Sequence, residues 1–322
     1  MLLNNERCLH YGRDDRRMKP KFEWIDKALL HLFEAEGTTA HRLCTTDDGW
    51  VERFGRDILI SYQKAEVRER LMKELDLWSK NANLAVDRIF GRLMAKQNEP
   101  RATPQLLLGE QSDDPQTIVT ERKLKFRIDF GSGYSVGLFL DQRENRGFVR
   151  QTAPKRLLNC FAYTCSFSVA AASVGGRTVN VDLSKKSLAR GRENFAFNSL
   201  PTSDHRFIAD DVRAVLRRLT RRCEKFDAII LDPPTFARAR RGKDFRIEDD
   251  FEDLLLAALT IAERRAHILL SSNCATFRQS ALELIARDSL GKLRRTGSLH
   301  QQPQPADFPP DTGASSVWLS LR

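Results

Sequence analysis

The segment FDAIILDPPTF, residues 226–236, decides the fold class. Five of its first six residues are apolar, as expected for a parallel strand buried on both faces of a sheet. The strand ends in Asp232, and burying an acid is costly unless its carboxylate faces a cleft. Pro233 and Pro234 then force an extended turn, and the ring of Phe236 could stack on a flat substrate. The segment therefore predicts a strand that ends at a binding cleft, although a loop that merely ends a strand is the alternative.

Four further apolar runs share this character, and helical stretches separate them. They are RLLNCFAY, RTVNVDL, HRFIAD and HILLSSN, at residues 156–163, 177–183, 205–210 and 267–273. Strands that alternate with helices predict a doubly wound α/β sheet with right-handed crossovers. Ligands bind such sheets at the carboxyl ends of the strands, where the strand order switches. We therefore expect the functional residues directly after the strands.

Acidic residues follow two of these strands as well. Asp182 could accept hydrogen bonds from both hydroxyls of an adenosine ribose, or it could cap the next helix. Asp210 and Asp211 end the third run, where a carboxylate could bind an adenine amino group, although a helix N-cap is the favoured interpretation. The loop after the first run has no GxGxxG pattern, which argues against a dinucleotide.

The first 117 residues have a different pattern and predict a smaller α+β region. The expected elements are a helix in 20–36, short strands in 41–62, a long helix in 64–95 and a linker in 96–117. After residue 117, a hairpin from 118–130 and 135–140 is expected to open the second part. The sequence thus divides into an N-terminal region, 1–117, and a second domain, 118–322. An RNA-recognition module is one interpretation of the first part.

Composition limits the function classes. The 322 residues contain 53 Lys and Arg against 43 Asp and Glu, and this net charge of +10 favours a partner with phosphates, although many basic proteins bind no polyanion. Six scattered cysteines and no metal-type histidine spacing argue against disulfides and metal, and predict a cytoplasmic protein. We expect neither a membrane span nor a secretory signal, because no apolar run is long enough.

Five motifs together closely resemble the S-adenosylmethionine-dependent 23S rRNA methyltransferases. They are FLDQRENR (139–146), LNCFAYTCSFSVAA (158–171), VNVDLSKKSLARGRENFAFN (179–198), HRFIADDV (205–212) and FDAIILDPPTFARAR (226–240). The branches that the sequence resembles are the large-subunit cytosine C5 and guanine N7 methyltransferases. The resemblance covers roughly residues 118–322 and implies a class I Rossmann-like sheet of seven strands, with S-adenosylmethionine as cofactor and a base of 23S rRNA as substrate.

The resemblance also implies a set of site residues. The cofactor-binding residues would be Asn159, Phe161, Tyr163, Thr164, Asp182, Leu183, Asp211, Asp232 and Pro233. The substrate-binding residues would be Gln142, Arg143, Arg146, Pro234, Phe236, Arg238, Arg240 and Arg241, and the first three would open a helix that closes over the cofactor. Asp232 and Cys274 would be catalytic, with Asp232 beside the transferring methyl group. Carboxylates at three strand ends also suit the positive sulfonium and the polar ribose and amino groups of this cofactor.

Two cysteines leave the chemistry open. Cys165 replaces the glycine of the family loop, and its β-carbon could crowd the methionine end of the cofactor or shift the backbone. A degenerate protein that kept the fold but lost turnover is the alternative. Cys274 matches a cysteine of the cytosine branch, whose thiolate adds to carbon 6 of the base. Methyl transfer to guanine N7 needs only the positioning of the base, and Cys274 would then take no part in the reaction. The residues that favour the guanine branch are Asn159, Thr235, Ser271, Asn273, Phe277 and Arg278.

The loop RARRGKDFR, residues 238–246, carries five positive charges next to the DPPTF turn. It could hold an RNA backbone, or it could be a solvated charged loop. A methyltransferase of a protein or small molecule would not need this loop, and a catalytically silent relative would bind RNA without cofactor. The oligomeric state stays open, with a homodimer among the alternatives.

Overall fold

A computed structural model of the protein describes residues 22–94, 101–237, 244–274, 276–310 and 312–322. Two sheets dominate it, one of six strands and one of seven. Within the ranges just given, no helix combines the length and apolar character needed to cross a membrane. The same ranges contain no group of three or more histidine, cysteine or acidic side chains arranged to hold a metal ion.

The six-stranded sheet belongs to the N-terminal region. Its elements are β1 (Glu23–Trp24), α1 (Lys27–Glu36), β2 (Ala40–Thr46), β3 (Gly49–Phe54), β4 (Asp57–Tyr62), α2 (Ala65–Ala82), β5 (Arg88–Leu93) and β6 (Gln105–Leu108). The strands pair in sequence order, antiparallel except for β4 and β5, which α2 connects as a parallel crossover. Val67, Leu71 and Leu75 are buried at four-residue intervals, so that one face of α2 packs on the sheet.

Two predictions for this region are corrected. The helix expected in 64–95 ends at Ala82, because Asn83 adopts a left-handed conformation and ends the helix. Residues 88–93 then form the buried strand β5, and part of the expected linker forms β6. A short apolar run such as that in β5 is compatible with either a helix or a strand, and here its pairing with β4 decides.

A separate hairpin follows, formed by β7 (Gln116–Glu121) and β8 (Leu124–Asp129). Arg122 and Lys123 connect the strands with φ of 47° and 71°, as a tight two-residue hairpin turn requires. The expected second arm in 135–140 is wrong, because both arms lie before residue 130. The division after residue 117 stays a prediction, and β7 spans that position.

The part of the chain after this hairpin contains the seven-stranded sheet. Its elements are a 3₁₀ turn (Leu140–Gln142), α3 (Arg143–Thr152), β9 (Arg156–Cys160), α4 (Ser166–Ala172), β10 (Arg177–Asp182), α5 (Lys185–Phe197), a 3₁₀ turn (Thr202–Asp204), β11 (Arg206–Ala209), α6 (Val212–Arg221), β12 (Phe226–Leu231), β13 (Phe236–Ala237), β14 (Phe245–Arg246), α7 (Ile247–Ile261), β15 (Ala262–Ser272), α8 (Gln279–Lys292), β16 (Gly297–His300) and β17 (Ser315–Leu321). The strand order β11-β10-β9-β12-β15-β17-β16 confirms the predicted sheet.

Strand β12 shows why this sheet forms. Ile229 and Leu231 pack into one core cluster with residues of α7, whereas Ala228 and Ile230 pack into another with residues of α4. Alternate side chains of a strand point to opposite faces, so a continuous apolar run fits only where helices cover both faces. The chain proceeds from β9 to β10 and β11, and then returns to β12 on the other side of β9. The switch in strand order therefore lies between β9 and β12.

Candidate cofactor and catalytic site

The loop after β9 has an unusual backbone at the switch in strand order. Phe161, Tyr163 and Cys165 have φ of 58°, 46° and 61°, in the left-handed region that disfavours residues other than glycine. The Tyr163 amide donates to Asp182 Oδ2 over 2.8 Å, and the Thr164 hydroxyl donates to the Gly137 carbonyl over 2.6 Å. Such conformations cost about 1–3 kcal/mol each and cluster at functional sites.

Asp182 ends β10 and holds two loops together. Its Oδ2 accepts from the Tyr163 amide and its Oδ1 from the Ser184 amide, both over 2.8 Å. Ser184 is the N-cap of α5, so the alternative in which Asp182 caps this helix is wrong. Burial raises the pKa of Asp182, and the two backbone donors oppose this effect. An ionised carboxylate accepts about four hydrogen bonds, so this half-buried acid retains capacity for ribose hydroxyls.

Asp211 is the N-cap of α6, as the favoured interpretation predicted. Its Oδ1 accepts from the Ala214 amide over 3.0 Å, and its Oδ2 lies 3.4 Å from Arg213 Nη2. Asp210 forms an ion pair of 2.7 Å with Arg218. The adenine-binding role of Asp211 stays a prediction.

Asp232 lies directly after β12 and is half-buried. Burial raises its pKa to about 6, the hydrogen bond from Ser271 lowers it, the charge of Asp141 raises it, and the charge of Arg146 lowers it. Pro233 is buried and Pro234 is exposed, so the turn leads out of the sheet towards solvent. An acid at a strand end whose pKa is raised in this way by burial has the character of a functional group.

The predicted substrate contacts on α3 are corrected. Gln142, Arg143 and Arg146 are 2%, 1% and 2% exposed, because this segment lies between the sheet and the N-terminal region. Arg143 Nη1 donates to Asp307 Oδ1 over 2.6 Å, and Arg146 Nε donates to Glu121 Oε1 over 2.7 Å. Gln142 Nε2 donates to Ser271 Oγ over 2.9 Å. These side chains connect parts of the fold and have no surface left for a substrate.

Other predicted cofactor contacts differ in their accessibility. Phe161, Tyr163 and Leu183 are half-buried, whereas Asn159 and Thr164 are buried. Asn159 Nδ2 donates to Ser168 Oγ over 2.9 Å and so ties β9 to α4. The cofactor roles of all five stay predictions.

The side chain of Cys165 does not enter the cleft. It is fully buried in a core cluster with Val169 and Leu188, and its Sγ would lie 2.5 Å from a Cβ added at Gly191. The glycine at position 191 in α5 therefore provides the space for this thiol. The backbone at Cys165 has the left-handed conformation that favours glycine, with φ of 61°, so the residue adopts this conformation in place of the shifted backbone that was one of the two expectations.

Cys274 is half-buried and lies beyond the end of β15. Its Sγ lies 3.1 Å from Thr276 Oγ1 and 3.8 Å from Glu248 Oε1, and Thr276 donates to the same carboxylate. Neither contact supplies the positive charge that activates a thiolate. Arg238, Arg240 and Arg241 lie outside the described residues, as does the side chain of Phe236.

Sequence analysis missed several residues that hold the candidate site in place. Asn145 and Trp318 join the hydrogen bonds behind Asp232, and the Gly137 carbonyl accepts from Thr164 in the loop after β9. The signal available for Asn145 was its spacing, because it follows Gln142 by three residues and both then lie on one face of a helix. Trp318 and Gly137 had none, because only the pairing of distant segments brings them to the site.

The family model described as S-adenosylmethionine-dependent methyltransferase matches residues 71–313. This chain belongs to that family. Its cofactor is S-adenosylmethionine, and the half-buried acids at the ends of β10 and β12 fit the polar and cationic groups of that molecule.

Individual relatives are similar to this protein over most of its chain. The ribosomal RNA large subunit methyltransferase I of Aeromonas salmonicida is 28% identical over 288 residues, 86% of this chain and 72% of the relative. A protein of Bacillus subtilis named a putative ribosomal RNA large subunit methyltransferase is 30% identical over 78% of this chain and 65% of its own length. Among solved structures, SMU.776, a putative methyltransferase complexed with SAH, has a TM-score of 0.78 at 26% identity, over 91% of this chain and 78% of its own.

Proposed function

We propose that the protein transfers the methyl group of S-adenosylmethionine to a base of 23S ribosomal RNA. The observation that carries this substrate is the similarity, over 86% of the chain, to a relative named as a large-subunit ribosomal RNA methyltransferase. The net charge of +10 supports a polyanionic substrate, because a basic surface gains free energy from counterion release on RNA.

The strand ends provide the groups that would hold the cofactor. Asp182 would accept hydrogen bonds from the ribose hydroxyls, and the loop at residues 161–164 would border the methionine part. Asp211 would bind the adenine amino group through Oδ2, since Oδ1 caps α6. Bound there, the cofactor supplies an electrophilic methyl group on a positively charged sulfur.

Asp232 would hold the target base. Its carboxylate is half-buried and can accept a hydrogen bond from an N–H of cytosine or guanine. A base fixed in this way approaches the methyl group in one orientation, and orientation alone supplies much of the rate of a transfer reaction. Pro233, which follows Asp232 directly, is buried, and its ring would limit the access of water to this end of β12.

The decisive experiment uses tritiated S-adenosylmethionine with unmodified 23S RNA, and total cell protein as the competing substrate. Label in the RNA fraction is expected, and nucleoside analysis then separates 5-methylcytidine from 7-methylguanosine. Label in protein alone would establish the rival methyltransferase. RNA binding without any cofactor binding would establish a catalytically silent protein.

Cys274→Ser distinguishes the two modified atoms. Transfer to cytosine C5 requires the thiolate, so the variant would lose at least about 100-fold in turnover. Transfer to guanine N7 would change by less than about threefold. Cys223→Ser is the matched control, because Cys223 is an exposed cysteine in the turn after α6.

A further inference from the structure

A line of buried hydrogen bonds runs from β17 to Asp232. Trp318 Nε1 donates to Asn145 Oδ1 over 2.8 Å, and Asn145 Nδ2 donates to Gln142 Oε1 over 2.8 Å. Gln142 Nε2 donates to Ser271 Oγ over 2.9 Å. The parallel pairing of β12 with β15 sets Leu231 opposite Leu270, which brings Ser271 next to Asp232, and a hydrogen bond from Ser271 lowers the pKa of that acid. The four side chains before Asp232 are at most 5% exposed.

The chemistry of the groups sets the direction of this line. An indole N–H can only donate, so Asn145 must present its oxygen to Trp318 and its nitrogen to Gln142. Gln142 then accepts with its oxygen and donates with its nitrogen to Ser271. Because the Ser271 oxygen accepts that bond, its own proton is left to point at Asp232. The indole N–H of Trp318, which can only donate, thus fixes the donor and the acceptor of every hydrogen bond in the line.

We propose that Trp318, Asn145, Gln142 and Ser271 form a positioning relay that fixes the carboxylate of Asp232 for methyl transfer. The inference rests on the proposed function, in which Asp232 holds the target base. The relay connects β17, α3 and β15 with the end of β12. Its side chains are fixed in the packed core and therefore hold the carboxylate of Asp232 in one position. Aligned hydrogen bonds in a buried site also reinforce one another.

The relay also acts on the charge of Asp232. The charged groups that face this acid are Asp141, before α3, and Arg146, within α3. The hydrogen bond from Ser271 opposes the effect of burial and lowers the pKa of Asp232, so its loss raises that pKa above about 6. The carboxylate would then bind a proton at a higher pH and lose its capacity to accept from the base.

Ser271→Ala tests the relay in the full-length protein. We expect kcat on unmodified 23S RNA to fall about tenfold, the affinity for S-adenosylmethionine to change less than twofold, and the acid limb of the pH profile to move upward. Ser271→Thr keeps the hydroxyl and should restore most of the activity. Ser289→Ala is the matched control, because Ser289 is also a fully buried serine but its hydroxyl has no hydrogen-bond partner among the described residues.

Gln142→Glu is the second variant, in case the first one unfolds. An ionised carboxylate at that position cannot donate, so the Ser271 proton would turn away from Asp232. The same upward shift of the acid limb is expected. An unchanged pH profile and kcat in either folded variant would overturn the relay. An inactive wild type would instead contradict the proposed function.

A second observation is independent of Asp232. A depression of about 510 Å³ lies near the start of β12, and five basic residues line it without any acid among the lining residues. They are Lys225, Arg264, Arg294, Arg295 and Arg322. Backbone carbonyls hold two of them in place, since Lys225 donates to Thr260 over 2.7 Å and Arg295 to Leu259 over 2.7 Å. Like charges gathered without an acid favour an anion.

We infer that this depression binds backbone phosphates of the same RNA, away from the target base. The six residues of β12 separate it from Asp232, a distance of roughly 20 Å. The inference rests on an RNA substrate, and the depression is too far from Asp232 to contact the reacting base. A long RNA can contact both places, and phosphate contacts position it without reading sequence.

Arg294→Gly separates RNA binding from folding. Arg294 has φ of 50° after the end of α8, a position that favours glycine, so the variant should keep or gain stability. Its affinity for 23S RNA should fall, and the slope of affinity against salt should decrease by about one. Lys73→Glu, an exposed charge reversal on α2, is the control. An unchanged salt slope, or an equal loss in the control, would overturn this assignment.

Discussion

The polar side chains at the start of α3 and the acids at the ends of β10 and β12 come from equally clear motifs, but their surroundings differ. Arg143 and Arg146 are buried and paired with acids. Asp182 and Asp232 are half-buried, and burial raises the pKa of both. We therefore expect the first set to stabilise the fold and the second to keep its carboxylates available for a ligand. Substitutions should separate the two sets, because one loses stability and the other loses binding or activity.

The largest effect is expected at Arg143. Replacing it with Gln would leave Asp307 buried without its ion pair, which costs about 3–5 kcal/mol of the free energy of unfolding. Urea denaturation measures this loss. Arg150→Gln on the same helix is the control and should cost less than about 1 kcal/mol, because that side chain is only half-buried. Full stability with lost RNA binding would return Arg143 to the substrate site.

Asp232→Asn should produce the opposite pattern. Methyl transfer should fall about 100-fold, while stability at pH 8 should rise by about 1 kcal/mol. The folded-state pKa of about 6 lies above the unfolded value of about 3.9, so stability falls as the pH rises through that window. The gain in the variant should therefore vanish below about pH 4. Thermal unfolding at several pH values tests this, and a destabilised variant at pH 8 would contradict it.

The smallest effect is expected at Cys165, which replaces the family glycine. Cys165→Gly relieves a left-handed backbone but removes a buried thiol, and each change is worth about 1 kcal/mol. Stability and cofactor affinity should therefore change little, by less than about 1 kcal/mol and threefold. Calorimetry measures the affinity. A large gain in cofactor binding would show that the thiol does impair the site.

The sequence predicted the catalytic sheet well for a physical reason. In runs such as 226–231 five of the six residues are apolar, and only a strand covered on both faces buries so many consecutive side chains. The strand ends followed from the same pattern, which placed Asp182 and Asp232 at one edge of the sheet. Local sequence could not show which face of α3 would be buried. That depended on Glu121 and Asp307, acids from distant segments that pair with its arginines.

The N-terminal region was less predictable. The segment 88–93 is short and mixes apolar with charged residues, and its conformation depends on pairing with β4. The role of Trp318 was unpredictable for the same reason. This residue lies near the end of the sequence, and it donates the first hydrogen bond of the line behind Asp232. Contacts of this kind depend on the completed fold.

The cofactor site at the end of β10 is tested most directly by a calorimetric titration of S-adenosylmethionine into the wild type and into Asp182→Ala. We expect clear binding by the wild type and at least a tenfold weaker affinity in the variant, with the cooperative unfolding of the variant preserved. Equal affinity in the two proteins would contradict the placement of the cofactor at the end of β10.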